Sequence, residues 1–106
     1  MGQVVRHKYN AVRVELDGHK FDSKAEARYW QHLMGLKESG VVVQVLRQVP
    51  FHLPGGVKYI CDFQVFLASG DVEFLDVKGM DTPASKLKRK QVAELYAPIQ
   101  IEVVNC

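Results

Sequence analysis

Along the chain the apolar residues switch between two spacings, and the switches mark the elements. Residues 12–21, VRVELDGHKF, alternate on either side of Asp17-Gly18, a pair suited to a two-residue turn, and predict a short antiparallel hairpin. Residues 22–40, DSKAEARYWQHLMGLKESG, change to helical spacing. Ser23 stands as N-cap with Glu26 three residues on, the apolar stripe runs through Ala25, Tyr29, Leu33 and Leu36, and Gly40 is the stop. VVVQVLRQVPF predicts a strand with Pro50 near its end, and Pro54-Gly55-Gly56 turns the chain. In residues 57–67, VKYICDFQVFL, the period of two returns. Tyr59, Cys61, Phe63, Val65 and Leu67 fall on one face, and Lys58, Asp62 and Gln64 fall on the other with Ile60 and Phe66. VEFLDVK makes the next strand, Pro83 opens a helix to about Tyr96, and IQIEVV from Ile99 makes the last strand after Pro98.

This order predicts an α/β fold with a mixed central sheet flanked by helices: an N-terminal hairpin, a helix, a three-strand meander, a helix and a strand. The final strand–helix–strand step places strand 99–104 parallel to strand 72–78. With 106 residues the chain has room for one core, and so for one domain, with residues 1–22 as a basic arm and hairpin and 23–104 as the core. Its 47% hydrophobic and 25% charged content is that of an ordinary folded protein. No apolar run approaches the roughly 20 residues that cross a bilayer, and the N-terminus has no secretory h-region, which predicts a cytoplasmic protein without a membrane partner. The opening Met-Gly-Gln resembles a myristoylation signal, but the sixth residue is Arg6 rather than Ser or Thr. Cys61 and Cys106 and the four histidines have no metal-ligand spacing, and Cys61 reads as a buried thiol inside a strand.

Charged residues at the end of strand 72–78 change the picture. Asp76 and Lys78 are two apart and point the same way. If Ala68-Ser69-Gly70 is a three-residue loop with glycine in the left-handed position, Leu67 pairs with Asp71 and Asp62 lies directly opposite Asp76. Opposed like charges are destabilising. A proton shared by the pair, the neighbouring Lys78, or a divalent cation between the carboxylates would compensate; Mg²⁺ and Mn²⁺ take hard oxygen ligands of this kind. Glu26 is the third acid. The capping box with Ser23 accounts for it, and a reach over the sheet toward the Asp pair is compatible with that role.

The ordered set Glu26, Asp62 and Asp76-Val77-Lys78 is similar to the active-site signature of the PD-(D/E)XK nucleases, with an acid from the first core helix, an Asp from a hairpin strand and an acid-x-Lys from the next. Val49-Pro50-Phe51, the Asp62-Phe63 hairpin with its Gly-ended loop, Asp76-Val77-Lys78-Gly79 and the basic helix that follows resemble the phage endonuclease I family of Holliday-junction resolving enzymes. The segment KYNAVRVELDGHKFDSKAEA is also similar to a small phage-encoded family long catalogued as a domain of unknown function and suspected of this nuclease fold. Together these likenesses span Lys8 to Val104. Cys61 stands where the name-giving pattern has Pro, and Asp76 where Glu is commoner.

The resemblance implies a restriction-endonuclease-like core and Mg²⁺-dependent (or Mn²⁺-dependent) phosphodiester hydrolysis. Asp62 and Asp76 would bind the metal, with the Val77 carbonyl a further ligand, Glu26 a helper, and Lys78 orienting or activating the attacking water; Gln48 is an auxiliary candidate, with a plain surface amide the preferred reading of it. KLKRK, residues 86–90, carries four of the 14 basic side chains. Lys86, Arg89 and Lys90, spaced for one helix face, and Lys88 make a phosphate grip, while Arg6, Lys8, Arg13 and Lys20 make the arm and hairpin a second basic surface. Leu87, Val92, Leu95 and Tyr96 are left to pack that helix on the sheet. The implied partner is DNA, branched such as a Holliday junction, rather than a small molecule. A two-fold dimer suits two strands of opposite polarity, through the hairpin or through the helix face of Trp30 and Met34, residues that can equally pack within their own domain. Linear or single-stranded DNA is the alternative substrate, and a DNA-binding accessory module without turnover the alternative class. A phage or prophage protein in a bacterial host is the implied setting.

Overall fold

The computed structural model describes residues 13–105. Strands β1 (Val14–Leu16) and β2 (His19–Phe21) form the hairpin, and α1 (Lys24–Glu38) follows. Then come β3 (Val42–Leu53), a 3₁₀ turn over Pro54–Gly56, β4 (Val57–Leu67), β5 (Val72–Lys78), α2 (Pro83–Leu95) and β6 (Ile101–Asn105). The main sheet has the order β3-β4-β5-β6, antiparallel except for the parallel β5–β6 pair. The architecture is therefore α/β with a mixed sheet, two helices and an N-terminal hairpin. Arg6, Lys8 and Cys106 lie outside the described residues. No helix among those described is long and apolar enough to cross a membrane.

Local chemistry accounts for the turns. Asp17 and Gly18 both have positive φ, as a type I′ turn requires. The β4–β5 loop is the three-residue one: the Leu67 N–H reaches the Asp71 carbonyl, and Gly70 takes φ 98°. Pro50 falls on β3, an edge strand that tolerates a missing donor. At the N-cap of α1, Ser23 Oγ accepts the Glu26 N–H.

Two apolar cores hold the sheet. One gathers Phe21, Ala27, Trp30, Leu33, Val45, Phe63, Val65, Leu75 and Val77 under α1; the other gathers Phe51, Leu53, Tyr59, Cys61 and Phe74 against Val92 of α2. Leu75 and Phe74 are adjacent on β5 and so point to opposite faces, which places the two cores on opposite sides of the sheet. The apolar row of β4 is consequently divided. Tyr59 and Cys61 serve one core, Phe63 and Val65 the other, although spacing alone puts all four on one face. β3 turns over with it, Val45 on one side and Phe51 on the other. The crossover lies at Gln48, whose φ of 55° is in the left-handed region, and at Asp62: the pairings Arg47↔Phe63 and Val49↔Cys61 flank this position, and Gln48 and Asp62 themselves do not pair.

The helix faces are also offset from expectation. In α1 the buried positions are Glu26, Ala27, Trp30 and Leu33, with Ala25, Tyr29, Met34 and Leu36 at the margin. Trp30 is 8% exposed and packs beside Phe21 and Phe63, so it belongs to its own core rather than to a dimer face. In α2 only Val92 is buried and Tyr96 packs at the edge; Leu87 and Leu95 face solvent.

The backbone at Gln48 yields a testable reversal. In an ordinary strand Ala is favoured over Gly by about 0.5–1 kcal/mol, but at a left-handed position a Cβ costs about 1–2 kcal/mol. Gln48→Gly is therefore expected to be more stable than Gln48→Ala by about 1 kcal/mol in urea unfolding. The usual order would mean that the strand is regular there.

Candidate active site

The crossover gathers the acidic residues. The β4–β5 ladder runs Phe66↔Val72 to Phe63↔Leu75, and the next step of that register sets Asp62 against Asp76. There the ladder ends and side chains take its place. The Asp62 N–H donates to Asp76 Oδ1 at 2.7 Å, and the Val77 N–H donates to Asp62 Oδ2 at 2.9 Å. Because a strand residue's N–H and C=O project to the same edge, the Val77 carbonyl also faces the interrupted side. Asp76 is fully buried, and its Oδ2 accepts the Tyr59 hydroxyl and lies 3.8 Å from Lys78 Nζ.

Glu26 enters from the first turn of α1 and is 3% exposed. One of its oxygens accepts the Asp22 N–H at 3.3 Å, one residue earlier than an ideal capping box. The other accepts Gln48 Nε2 at 3.1 Å and lies 3.5 Å from Arg47. Arg47 also donates to the Lys20 carbonyl at 2.8 Å and lies 4.1 Å from the centroid of the Phe21 ring, tying hairpin, helix and sheet together. The cap and the reach toward the sheet thus coexist in one carboxylate.

All three acids are held above their ordinary range, each chiefly by loss of water. Glu26 is pushed up to about 7 by burial and, next, by the Asp62 charge. Asp62 and Asp76 are raised by burial, against backbone hydrogen bonds and the Lys78 ammonium that pull them down. The Lys78 field thus reaches both aspartates.

Among the described residues no group of three or more His, Cys, Asp or Glu converges as a ready-made cation site. The donor set nevertheless suits a hard divalent ion in part. Two desolvated carboxylates lie in one cross-strand row with a carbonyl beside them, and Asp62 Oδ1 has no hydrogen bond among the described residues. Asp62, Asp76 and the Val77 carbonyl are oxygen donors of the type Mg²⁺ and Mn²⁺ accept. Glu26 and Asp76 both have each oxygen engaged with a neighbour.

The basic residues divide differently. Lys86, Arg89 and Lys90 line a cleft of about 340 Å³ with Asp81, Gln100 and Ile101. Arg89, however, makes a two-point pair with Asp81, Nη1 to Oδ1 at 2.9 Å and Nη2 to Oδ2, which holds the Asp81 carboxyl below its usual range. Lys86 and Lys90 are exposed and Lys88 half-buried. Arg13 is exposed and 4.0 Å from Asp22, and the Lys20 side chain is exposed. Arg47 and Tyr59 are the site neighbours that the pattern of the chain did not single out. Their signal was there in retrospect, since an arginine inside a mostly apolar strand and a phenol on a buried row each need a partner.

A family model described as a protein of unknown function, DUF1064, matches residues 6–106. No curated protein matches the chain. As the family match extends over nearly the whole length, the protein belongs to the DUF1064 family.

Proposed function

We propose that this protein is a metal-dependent endonuclease with a restriction-endonuclease-like core, hydrolysing phosphodiester bonds in branched DNA such as Holliday junctions within a bacterial host. The observation that carries the reading is the row Gln48, Asp62 and Asp76, where both antiparallel ladders are interrupted and a half-buried and a buried carboxylate meet, the latter beside Lys78. A fold gains no stability from desolvating acids in this way, and strongly perturbed acids beside a specific cation are characteristic of functional sites. In this reading Asp62, Asp76 and the Val77 carbonyl would hold Mg²⁺ or Mn²⁺, and Glu26, braced by Arg47 and Gln48, is a helper. The cation supplies Lewis-acid stabilisation of the phosphoryl charge. Lys78 orients the attacking water and neutralises charge growing on the phosphoryl oxygens. No covalent enzyme intermediate is needed. Lys86, Lys88 and Lys90 grip phosphates without reading sequence, and Arg89 anchors the start of α2 through Asp81. A two-fold homodimer would present two such sites to strands of opposite polarity.

The test is cleavage of a four-way junction and a linear duplex of matched sequence, each in Mg²⁺ and in EDTA. Paired cuts in the junction that EDTA abolishes are the expected result. Equal cutting of linear or single-stranded DNA would transfer the activity to those substrates. Binding of both DNAs without product would replace the enzyme by a DNA-binding accessory module.

A further inference from the structure

We infer that Tyr59 is a positioning residue of this site, its buried hydroxyl holding the Asp76 carboxylate in the orientation in which Asp62 and Lys78 meet it. The inference rests on the nuclease reading and extends it to a residue outside the acid-x-Lys constellation. Tyr59 is 5% exposed and packs in the α2-side core, on the stretch of β4 beyond the last pair with β5. A phenol in such surroundings needs an acceptor. Its acceptor is Asp76 Oδ2, the oxygen that also lies 3.8 Å from Lys78 Nζ. The Lys78 ammonium is 5.9 Å from the centroid of the Tyr59 ring, so one side chain contacts both members of the pair. The other Asp76 oxygen is taken by the Asp62 N–H. A carboxylate's terminal torsion is broad and loosely set on its own; here three partners fix it, and Tyr59 is the one that brings no charge and no backbone constraint.

Tyr59→Phe keeps the ring and its packing and removes only the hydroxyl. Residues that orient a metal-binding carboxylate alter metal affinity or activity by about 10–100-fold when removed. The expected result is Mn²⁺ binding to the metal-free protein weakened about 10-fold by calorimetric titration without DNA, together with a kcat on the four-way junction about 10-fold lower at unchanged KM. A satisfied core phenol would instead move only the thermal midpoint. Wild-type Mn²⁺ binding and wild-type cleavage by Tyr59→Phe would overturn the inference while the nuclease reading stood. If the wild-type protein binds Mn²⁺ but cuts no DNA, the nuclease reading fails and the Mn²⁺ titration alone decides for or against Tyr59. If the wild-type protein binds no Mn²⁺, Tyr59 has no metal-binding carboxylate to position and the inference falls.

Discussion

Lys78→Ala is expected to lower the rate of junction cleavage by about 10²–10³-fold, the usual loss when one preorganised electrostatic group is removed from a reacting centre. The ammonium lies 3.8 Å from Asp76 Oδ2, and its field reaches Asp62 as well. Among the described residues the two arginines near the acids cannot replace it, because Arg47 is committed to Glu26 and the Lys20 carbonyl and Arg89 to Asp81. The side chain is 24% exposed, so truncation opens no large cavity in either core and the fold should persist. Lys37, exposed on the last turn of α1 and bonded to Gln44, provides the matched control. Lys37→Ala should cut at the wild-type rate. A Lys78→Ala protein that also does so would remove Lys78 from the chemistry.

The second large effect is on stability. Folding raises the Glu26 carboxyl from about 4.5 to about 7, so the folded state favours the protonated form. That preference is fully present below about pH 4.5 and is lost as pH rises through about 7, a change on the order of 3 kcal/mol for this group. Asp62 and Asp76 are raised too and act in the same direction. The metal-free protein is therefore expected to be more stable at about pH 5 than at about pH 7.5 in urea unfolding, the opposite of a fold held by exposed ion pairs. Glu26→Gln should flatten the profile, and Mg²⁺ at the higher pH should restore stability by compensating the charges that protons no longer do. A stability that rises over this interval would sink the assignment of buried, mutually repelling acids.

Much of this was legible in the chain, for reasons that differ by element. Asp17-Gly18 and Ala68-Ser69-Gly70 determine turn geometry locally, and the second of these sets the register that brings Asp62 to Asp76. Pro83 and the final β-α-β step were equally readable, since handedness and caps are local or nearly universal. The turnover of β3 and β4 was not legible. It depends on Gln48 taking a left-handed conformation that glutamine does not prefer, and the packing of both cores imposes it. The offset of α1 has a related cause: Glu26 is buried because Arg47 and Gln48 receive it from the sheet, and a periodicity that counts only apolar residues passes over a buried acid. In α2 the only buried residue is Val92, with Tyr96 packed at the edge, and Leu87 and Leu95, which spacing would assign to a core, are exposed.

The substitution of carboxylates for ladder partners also makes the site its own reporter. In the middle of a sheet an amide proton exchanges with solvent only when the strands separate. The Asp62 and Val77 amides are bonded to side-chain oxygens instead, on the same carboxylates that a proton or a cation would claim. Their exchange rates and proton resonances should therefore follow the occupancy of the carboxylates rather than the integrity of the fold. Two backbone signals, read against the Phe63 and Leu75 amides of the last intact rung, would register a ligand before any product is formed.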